Sequence, residues 1–170
     1  MSTSAADLIR MLDLARHPEG GWFREIYRTP FTVDAESLPE RFAGARSLSA
    51  TIHYLLERGD ASHLHRLHGD EQWLHLDGGA LDISVIDETG DLTVHRLGTD
   101  IEAGEVLHAV MPGGAWFGAE IADGSPWALV ACITAPAFEY EDFEMGHRDL
   151  LLARFPEHAD LVRRLTAEAT

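Results

Sequence analysis

Apolar and polar positions alternate in short runs along most of this chain. Over Ser47–Leu56 the residues Leu48, Ala50, Ile52, Tyr54 and Leu56 share one side of an extended strand. Trp22–Arg28, His63–Leu67, Glu71–Leu76, Leu81–Asp87, Leu92–Leu97, Val106–Met111, Ala115–Ile121 and Trp127–Ala135 read as strands too. Between them lie turn signals such as Gly59-Asp60, Gly69-Asp70, Gly78-Gly79 and Pro112-Gly-Gly114. Eight or nine short strands at this spacing predict a sandwich or a barrel between about residues 20 and 136. At both ends the period becomes helical. Ser4, with Asp7 three residues on, is an N-cap signal, and Leu8, Met11, Leu12 and Ala15 fall on one face. That predicts a helix over about 4–16, ended by His17-Pro-Glu-Gly-Gly21. Pro156 followed by Leu161, Val162 and Leu165 predicts another over about 156–167. Thr29–Arg46, with two prolines, reads as a loop, and Glu139–Glu144 as a packed edge with a solvated acidic face. With no repeat or linker, residues 1–170 are expected to form one all-β domain with short terminal helices.

Composition narrows the function. The 170 residues carry 29 acids against 13 bases, a net charge of −16, which excludes a basic footprint for nucleic acid or anionic membrane. All the bases are arginine; lysine and asparagine are absent. A lysine Schiff base and a P-loop lysine are therefore excluded, as is an N-glycosylation sequon. Cys132, the single cysteine, lies in an apolar run and reads as a small buried hydrophobe. The first residues lack the pattern of a signal peptide, and no apolar run approaches the ~20 residues of a membrane span, so a cytoplasmic protein without membrane partners is expected. Gly-x-Ser-x-Gly, Gly-x-Gly-x-x-Gly and His-Glu-x-x-His are absent.

The candidate chemistry lies between His63 and His75. On a strand His63 and His65 point to one side; beyond Gly69-Asp70, the residues Glu71, Trp73 and His75 share a side of the next. Two imidazoles and a carboxylate on one face can bind a divalent metal, or can supply a general base and acid. Periodicity does not decide whether this face or the one bearing Leu64, Leu74 and Leu76 is inside. Arg24, Glu25, Tyr27 and Arg28 make a dense polar strand, in which Arg24 can clamp an anion bidentately or pair with a glutamate. Trp116 and Phe117 can stack on a planar ligand or fill a core. His17, His95, His147 and His158 read as surface residues.

The two-part pattern Gly…His-x-His…Glu-x6-Gly, then Gly…Pro-x-Gly, resembles the cupin superfamily. The chain is similar in particular to its cupin_5 family, formerly DUF985. The matching stretches are Gly20-Gly-Trp-Phe-Arg24-Glu25-Ile-Tyr27-Arg28, Ile52-His-Tyr-Leu-Leu56, His65-Arg66, Asp70-Glu71-x-Trp73, Pro112-Gly-Gly-Ala-Trp116-Phe117-Gly-Ala119 and Ala137-Phe-Glu139-Tyr-Glu-Asp-Phe-Glu144. The resemblance implies an RmlC-like jelly roll (a double-stranded β-helix), a homodimer, and a small-molecule pocket in the barrel. It turns His63, His65, Glu71, Trp73 and His75 inward. In metal-binding cupins a fourth ligand, a histidine, occupies the place of Phe117, so no cofactor is expected here. The alternative is one divalent ion (iron, zinc, manganese or nickel) on His63, His65 and Glu71, with His75 or His108 in support. The expected function is an isomerase or epimerase of a polar anionic or carbohydrate-like ligand. His65 would be the base, oriented by Glu71, with Arg24, Tyr27, Trp116 and Phe117 around the ligand. A metal-dependent oxygenase or lyase, and a non-catalytic binding or structural dimer, are the alternatives.

Overall fold

The computed structural model describes residues 3–122 and 124–167. Its strands, in chain order, are β1 (Ala15–Arg16), β2 (Trp22–Arg28), β3 (Thr32–Val33), β4 (Arg46–Ser47), β5 (Ala50–Glu57), β6 (Ala61–Leu67), β7 (Asp70–Gly78), β8 (Leu81–Ile86), β9 (Leu92–Leu97), β10 (His108–Met111), β11 (Trp116–Ile121), β12 (Trp127–Ala135) and β13 (Phe143–Met145). The helices are α1 (Ala5–Met11), α2 (Arg148–Arg154) and α3 (Ala159–Arg164). One sheet runs β1-β2-β5-β12-β7-β10 and faces another running β13-β6-β11-β8-β9, all ladders being antiparallel. This is the sandwich or barrel that the strand pattern predicts, in the jelly-roll form that the resemblance implies.

The main core lies between the sheets and includes Tyr54, Leu56, Trp73, Ile83, Met111, Phe117, Val130 and Cys132. Burying each large side chain there contributes roughly 1.5–3 kcal/mol. Two satellite cores cover the outer faces. Leu14, Leu55, Trp127 and Leu129 pack under α1, whereas Leu64, Ile86 and Trp116 pack under α2 and α3. The Ser4 cap of α1 forms as expected, with Asp7 N–H donating to Ser4 Oγ at 3.2 Å. The helix is shorter than 4–16 and presents Met11 to solvent, with Ile9 rather than Met11 on its packed side. The tail divides into α2 and α3 around Phe155-Pro156, because the proline cannot donate to a continuous helix. Among the described residues no helix is long and apolar enough to cross a membrane.

Three register shifts break the two-residue period. In β2, Glu25 faces Ile52 but Tyr27 faces Thr51, so Ile26 is extra. In β6, Ser62 faces Ala119 and His65 faces Phe117, leaving one extra residue at His63-Leu64. In β7, His75 faces Val130 and Asp77 faces Leu129, so Leu76 is extra. Each bulge reverses which side chains point inward beyond it.

In the acidic run Glu139–Glu144 the solvated face forms with Glu139, Glu141 and Glu144 exposed, and Asp142 is the exception. Asp142 is buried, and its carboxylate is held bidentately by the buried Arg46, Nε to Oδ2 at 2.7 Å and Nη2 to Oδ1 at 2.8 Å. The pair ties the end of the Thr29–Arg46 loop to β13.

Candidate functional site

A cavity of about 190 Å3 opens at one end of the barrel. Its walls are Phe23, Ile52, Leu67 and Phe138; its polar groups include His17, Glu19, Tyr54, His65, Glu71 and Cys132; Glu25, Arg28, Glu139 and Tyr140 also line it.

The segment His17–Gly21 enters the barrel instead of merely ending a helix. Gly20 and Gly21 both have positive φ, +108° and +67°. A Cβ at Gly20 would collide with the Ala61 carbonyl, and one at Gly21 would lie 2.7 Å from the Tyr54 hydroxyl. Glycine alone permits both the conformation and the approach. The Tyr54 hydroxyl donates to Gly20 O at 2.8 Å, and His63 N–H donates to Glu19 O at 2.8 Å. Glu19 is thereby carried inside, 6% exposed, with Ser62 Oγ donating to its Oε1 at 2.9 Å.

Its other oxygen faces two imidazoles. Glu19 Oε2 is 3.2 Å from His65 Nε2 and 3.4 Å from His17 Nδ1. His65 Nδ1 lies 2.7 Å from the His63 carbonyl, which assigns the ring hydrogen to Nδ1 and a lone pair to Nε2. Glu19 N–H donates to His17 Nδ1 at 3.3 Å, which makes that nitrogen an acceptor as well. One carboxyl proton on Glu19 therefore has two lone pairs to choose between. Burial acts in the same sense. It pushes the Glu19 carboxyl up, with His17 and Ser62 pulling the other way, and brings His65 down to about 4. His17 is also lowered by burial.

Glu71 stands on the facing sheet, 7% exposed. Burial, reinforced by Glu19, pushes its carboxyl up to about 8, so at neutral pH it holds its proton. The Trp73 indole lies beside it. Phe117 packs on His65 with ring centroids 4.2 Å apart.

The other candidates are dispersed. The bulge at His63-Leu64 gives the inner position to Ser62, and His63 is not in the cavity lining. Trp73 is a core residue 5.4 Å from the Tyr54 ring. His75 is on the inner face but farther along β7, its Nε2 3.0 Å from Gly79 O. His108 is exposed on the edge strand β10, 3.1 Å from Gln72 Oε1. Trp116 faces outward under the helices, with the Arg66 guanidinium 4.8 Å from its ring. Arg24 is corrected as an anion clamp: it lies on the outer face, bonded to Asp13 at 3.1 Å and to Leu12 O at 3.3 Å. Tyr27 is exposed on that same face. Because Ile26 is the extra residue, Arg28 takes the inner position, with Nη2 2.9 Å from Glu25 and Nη1 2.9 Å from Glu139. The residue that orients His65 is Glu19, not Glu71. His17, expected at the surface, is buried edge-on against Phe23 at 4.6 Å.

The expected ligand set of His63, His65 and Glu71 does not fit a divalent ion. Both His65 nitrogens face protein groups, Phe117 fills the fourth place, and His63 lies outside the cavity. Among the described residues no three His, Cys, Asp or Glu side chains converge as a metal site.

Comparison with known proteins adds the family. Residues 6–146 match the family model described as "Cupin superfamily (DUF985)". A protein of known structure from Shewanella oneidensis is 36% identical, with 99% of this chain and 100% of that one covered and a TM-score of 0.89. A hypothetical protein from Leishmania major is 34% identical over 97% of this chain and 99% of its own, with a TM-score of 0.88. Oxalate decarboxylase from Bacillus subtilis shares the fold alone, at 16% identity and a TM-score of 0.55, with 93% of this chain and 38% of that one covered.

Proposed function

The chain belongs to the DUF985 family of the cupin superfamily, and on that premise we propose that it binds a small carbohydrate-like molecule in the barrel and moves a proton on it, as an isomerase or epimerase does. The observation that carries this reading is the contact of Glu19 Oε2 with His65 Nε2 at 3.2 Å, in a cavity whose opposite sheet contributes a protonated Glu71. When the Glu19 proton turns to His17 Nδ1, His65 Nε2 is left with a free lone pair. It can then take the proton from a carbon next to a carbonyl. Glu71 donates its own proton to the carbonyl oxygen, so the intermediate is a neutral enediol and Glu71 becomes a carboxylate. His65 then returns its proton to carbon while Glu71 takes one back from an enediol hydroxyl: at the original carbon and its carbonyl, on the opposite face, this completes an epimerisation, and at the neighbouring carbon, with the other hydroxyl becoming the carbonyl, an isomerisation. The carbohydrate-like half of the expectation is favoured over the anionic half, because the cavity's arginine is already neutralised by two glutamates.

The test is hydrogen exchange. Wild-type protein incubated in D2O with a panel of small aldoses and ketoses is expected to wash deuterium into one C–H position, read by proton NMR. His65→Ala and Glu19→Gln should slow that exchange by roughly 10²–10⁴-fold while keeping the native circular dichroism. Exchange that both variants retain would overturn the assignment, and exchange with none of the panel would overturn catalysis in favour of a binding role.

We also infer self-association. β1 covers only Trp22 and Phe23, so the edge of β2 from Arg24 to Arg28 is open among the described residues, with Ile26 and Tyr27 exposed along it. Such an edge favours pairing with a second copy about a two-fold axis. Light scattering should give a mass twice the 18.8 kDa of the chain; a monomer throughout the micromolar range would refute this.

A further inference from the structure

We infer that the Trp73 indole N–H is the donor that receives the carboxylate Glu71 becomes when it gives up its proton, which makes Trp73 a positioning residue of the reaction. This rests on the proton-transfer reading of the cavity and adds to it the group that stabilises the negative charge.

The indole is an exception within the core. Trp73 is 1% exposed, yet its Nε1–H has no hydrogen-bond acceptor. A buried tryptophan N–H ordinarily finds one, because leaving it unpaired costs free energy. Packing nevertheless fixes the ring. It lies 5.4 Å from the Tyr54 ring, and its ladder neighbours are Cys132 on β12 and Ala109 on β10. The polar group beside it is the Glu71 carboxyl, two residues earlier on the same face of β7.

An ionised carboxylate is a much stronger acceptor than a protonated carboxyl. The N–H is therefore unpaired in the resting protein and gains its partner when Glu71 donates its proton to the substrate carbonyl. When Glu71 takes a proton back, the bond is lost again. A contact made only as charge develops lowers the barrier without tightening the resting complex. The titratable groups facing Glu71 across the cavity are Glu19 and His17 from the turn, His65 from β6, Tyr54 from β5 and Cys132 from β12. Arg28 at the mouth is held between Glu25 and Glu139. The Tyr54 hydroxyl is committed to Gly20 O, and Glu19 opposes ionisation of Glu71. The carboxylate thus calls for a donor of its own, and the indole supplies it.

The indole 15N–1H resonance of Trp73 reports this bond directly. It is followed in the full chain from about pH 5 to about pH 10, in wild-type protein and in Glu71→Gln. The indole proton is expected to move downfield as Glu71 ionises, and to stay in place in Glu71→Gln, which excludes Glu19 as the cause. Trp73→Phe should raise the pH at which Glu71 ionises by about one unit, read from its side-chain carboxyl 13C resonance, and slow deuterium exchange of a responsive sugar about tenfold. Made in Glu71→Gln, the same substitution should slow nothing further. The wild-type resonance decides the matter even where Trp73→Phe does not fold. An indole proton that ignores the Glu71 titration would overturn the inference and leave the proton-transfer reading standing. Equal slowing by Trp73→Phe in both backgrounds would overturn the positioning role. An indole proton that follows the titration while no sugar exchanges would uphold the bond and overturn the proton-transfer reading instead.

Discussion

Asp142→Ala is expected to lower the unfolding free energy by about 1.5–3 kcal/mol, because it removes both buried hydrogen bonds of the Arg46 guanidinium and leaves it only the exposed carboxylate of Glu141. Arg46 is 3% exposed and Asp142 6%, and the two are joined by parallel hydrogen bonds of 2.7 and 2.8 Å. Arg46 Nη1 also donates to Ala45 O at 2.9 Å. Removing the carboxylate leaves that charge without its bidentate partner, with only the exposed Glu141 to pair with. For a domain of this size the midpoint of thermal unfolding should fall by roughly 5 °C. The double variant Arg46→Met, Asp142→Leu should recover most of the loss, since a packed apolar pair replaces a buried ion pair at little net cost. Denaturant unfolding of the three variants decides the matter. A loss below about 1 kcal/mol for Asp142→Ala would mean that the pair acts like an exposed one. The latch also bears on the cavity, for Asp142 lies between Phe138–Tyr140 and Phe143, and Phe138 and Tyr140 belong to the lining.

The second large effect is on pH. Glu71 holds its proton up to about pH 8 when folded, against an ordinary value of 4.5. Between those values the folded state binds more protons than the unfolded one, so this group makes stability fall as pH rises. Its slope approaches about 1.4 kcal/mol per pH unit. His65 has the opposite sign. Its folded value of about 4 lies below its ordinary 6.5, so it favours stability rising over that interval. The two oppose each other from 4.5 to 6.5, and the decline is left uncovered from 6.5 to 8. Wild-type protein should therefore lose on the order of 2 kcal/mol between pH 6.5 and 8.5. Glu71→Gln should be flatter over that range and more stable at pH 8.5. Parallel slopes for the two proteins, from denaturant melts at both pH values, would show that Glu71 is ionised in the folded state.

Alternation placed much of the barrel correctly. Ile52, Tyr54 and Leu56 lie on one side of β5, and His65, Glu71, Trp73 and Phe117 face the interior. The errors cluster where the strands bulge. One extra residue at Ile26 exchanges Tyr27 for Arg28, and one at His63-Leu64 exchanges His63 for Ser62. No glycine or proline marks either place, and the bulge at His63-Leu64 is held by tertiary bonds. Leu64 N–H donates to Leu165 O at 2.6 Å, and Leu64 O accepts from Gly146 at 2.7 Å, both from the tail. A local pattern cannot register contacts made a hundred residues away. Glu19 was hidden for another reason, since a turn residue carries no periodicity. The consecutive glycines after it were the available signal: two flexible residues together imply a close approach, and the residue before them is what approaches. Asp142 was masked by its acidic neighbours, of which Glu139, Glu141 and Glu144 are exposed at the surface.

The bonds around the cavity also bear on when it comes into being. Ser62 and Glu19 are 43 residues apart, Arg46 and Asp142 are 96 apart, and Arg28 and Glu139 are 111 apart. Loops of that length must close before any of these contacts forms, which places the chain among slow-folding topologies of high contact order. The mouth of the cavity, to which Arg28, Glu139 and Tyr140 belong, is therefore incomplete in a chain emerging from synthesis until the residues around Glu139 are in place.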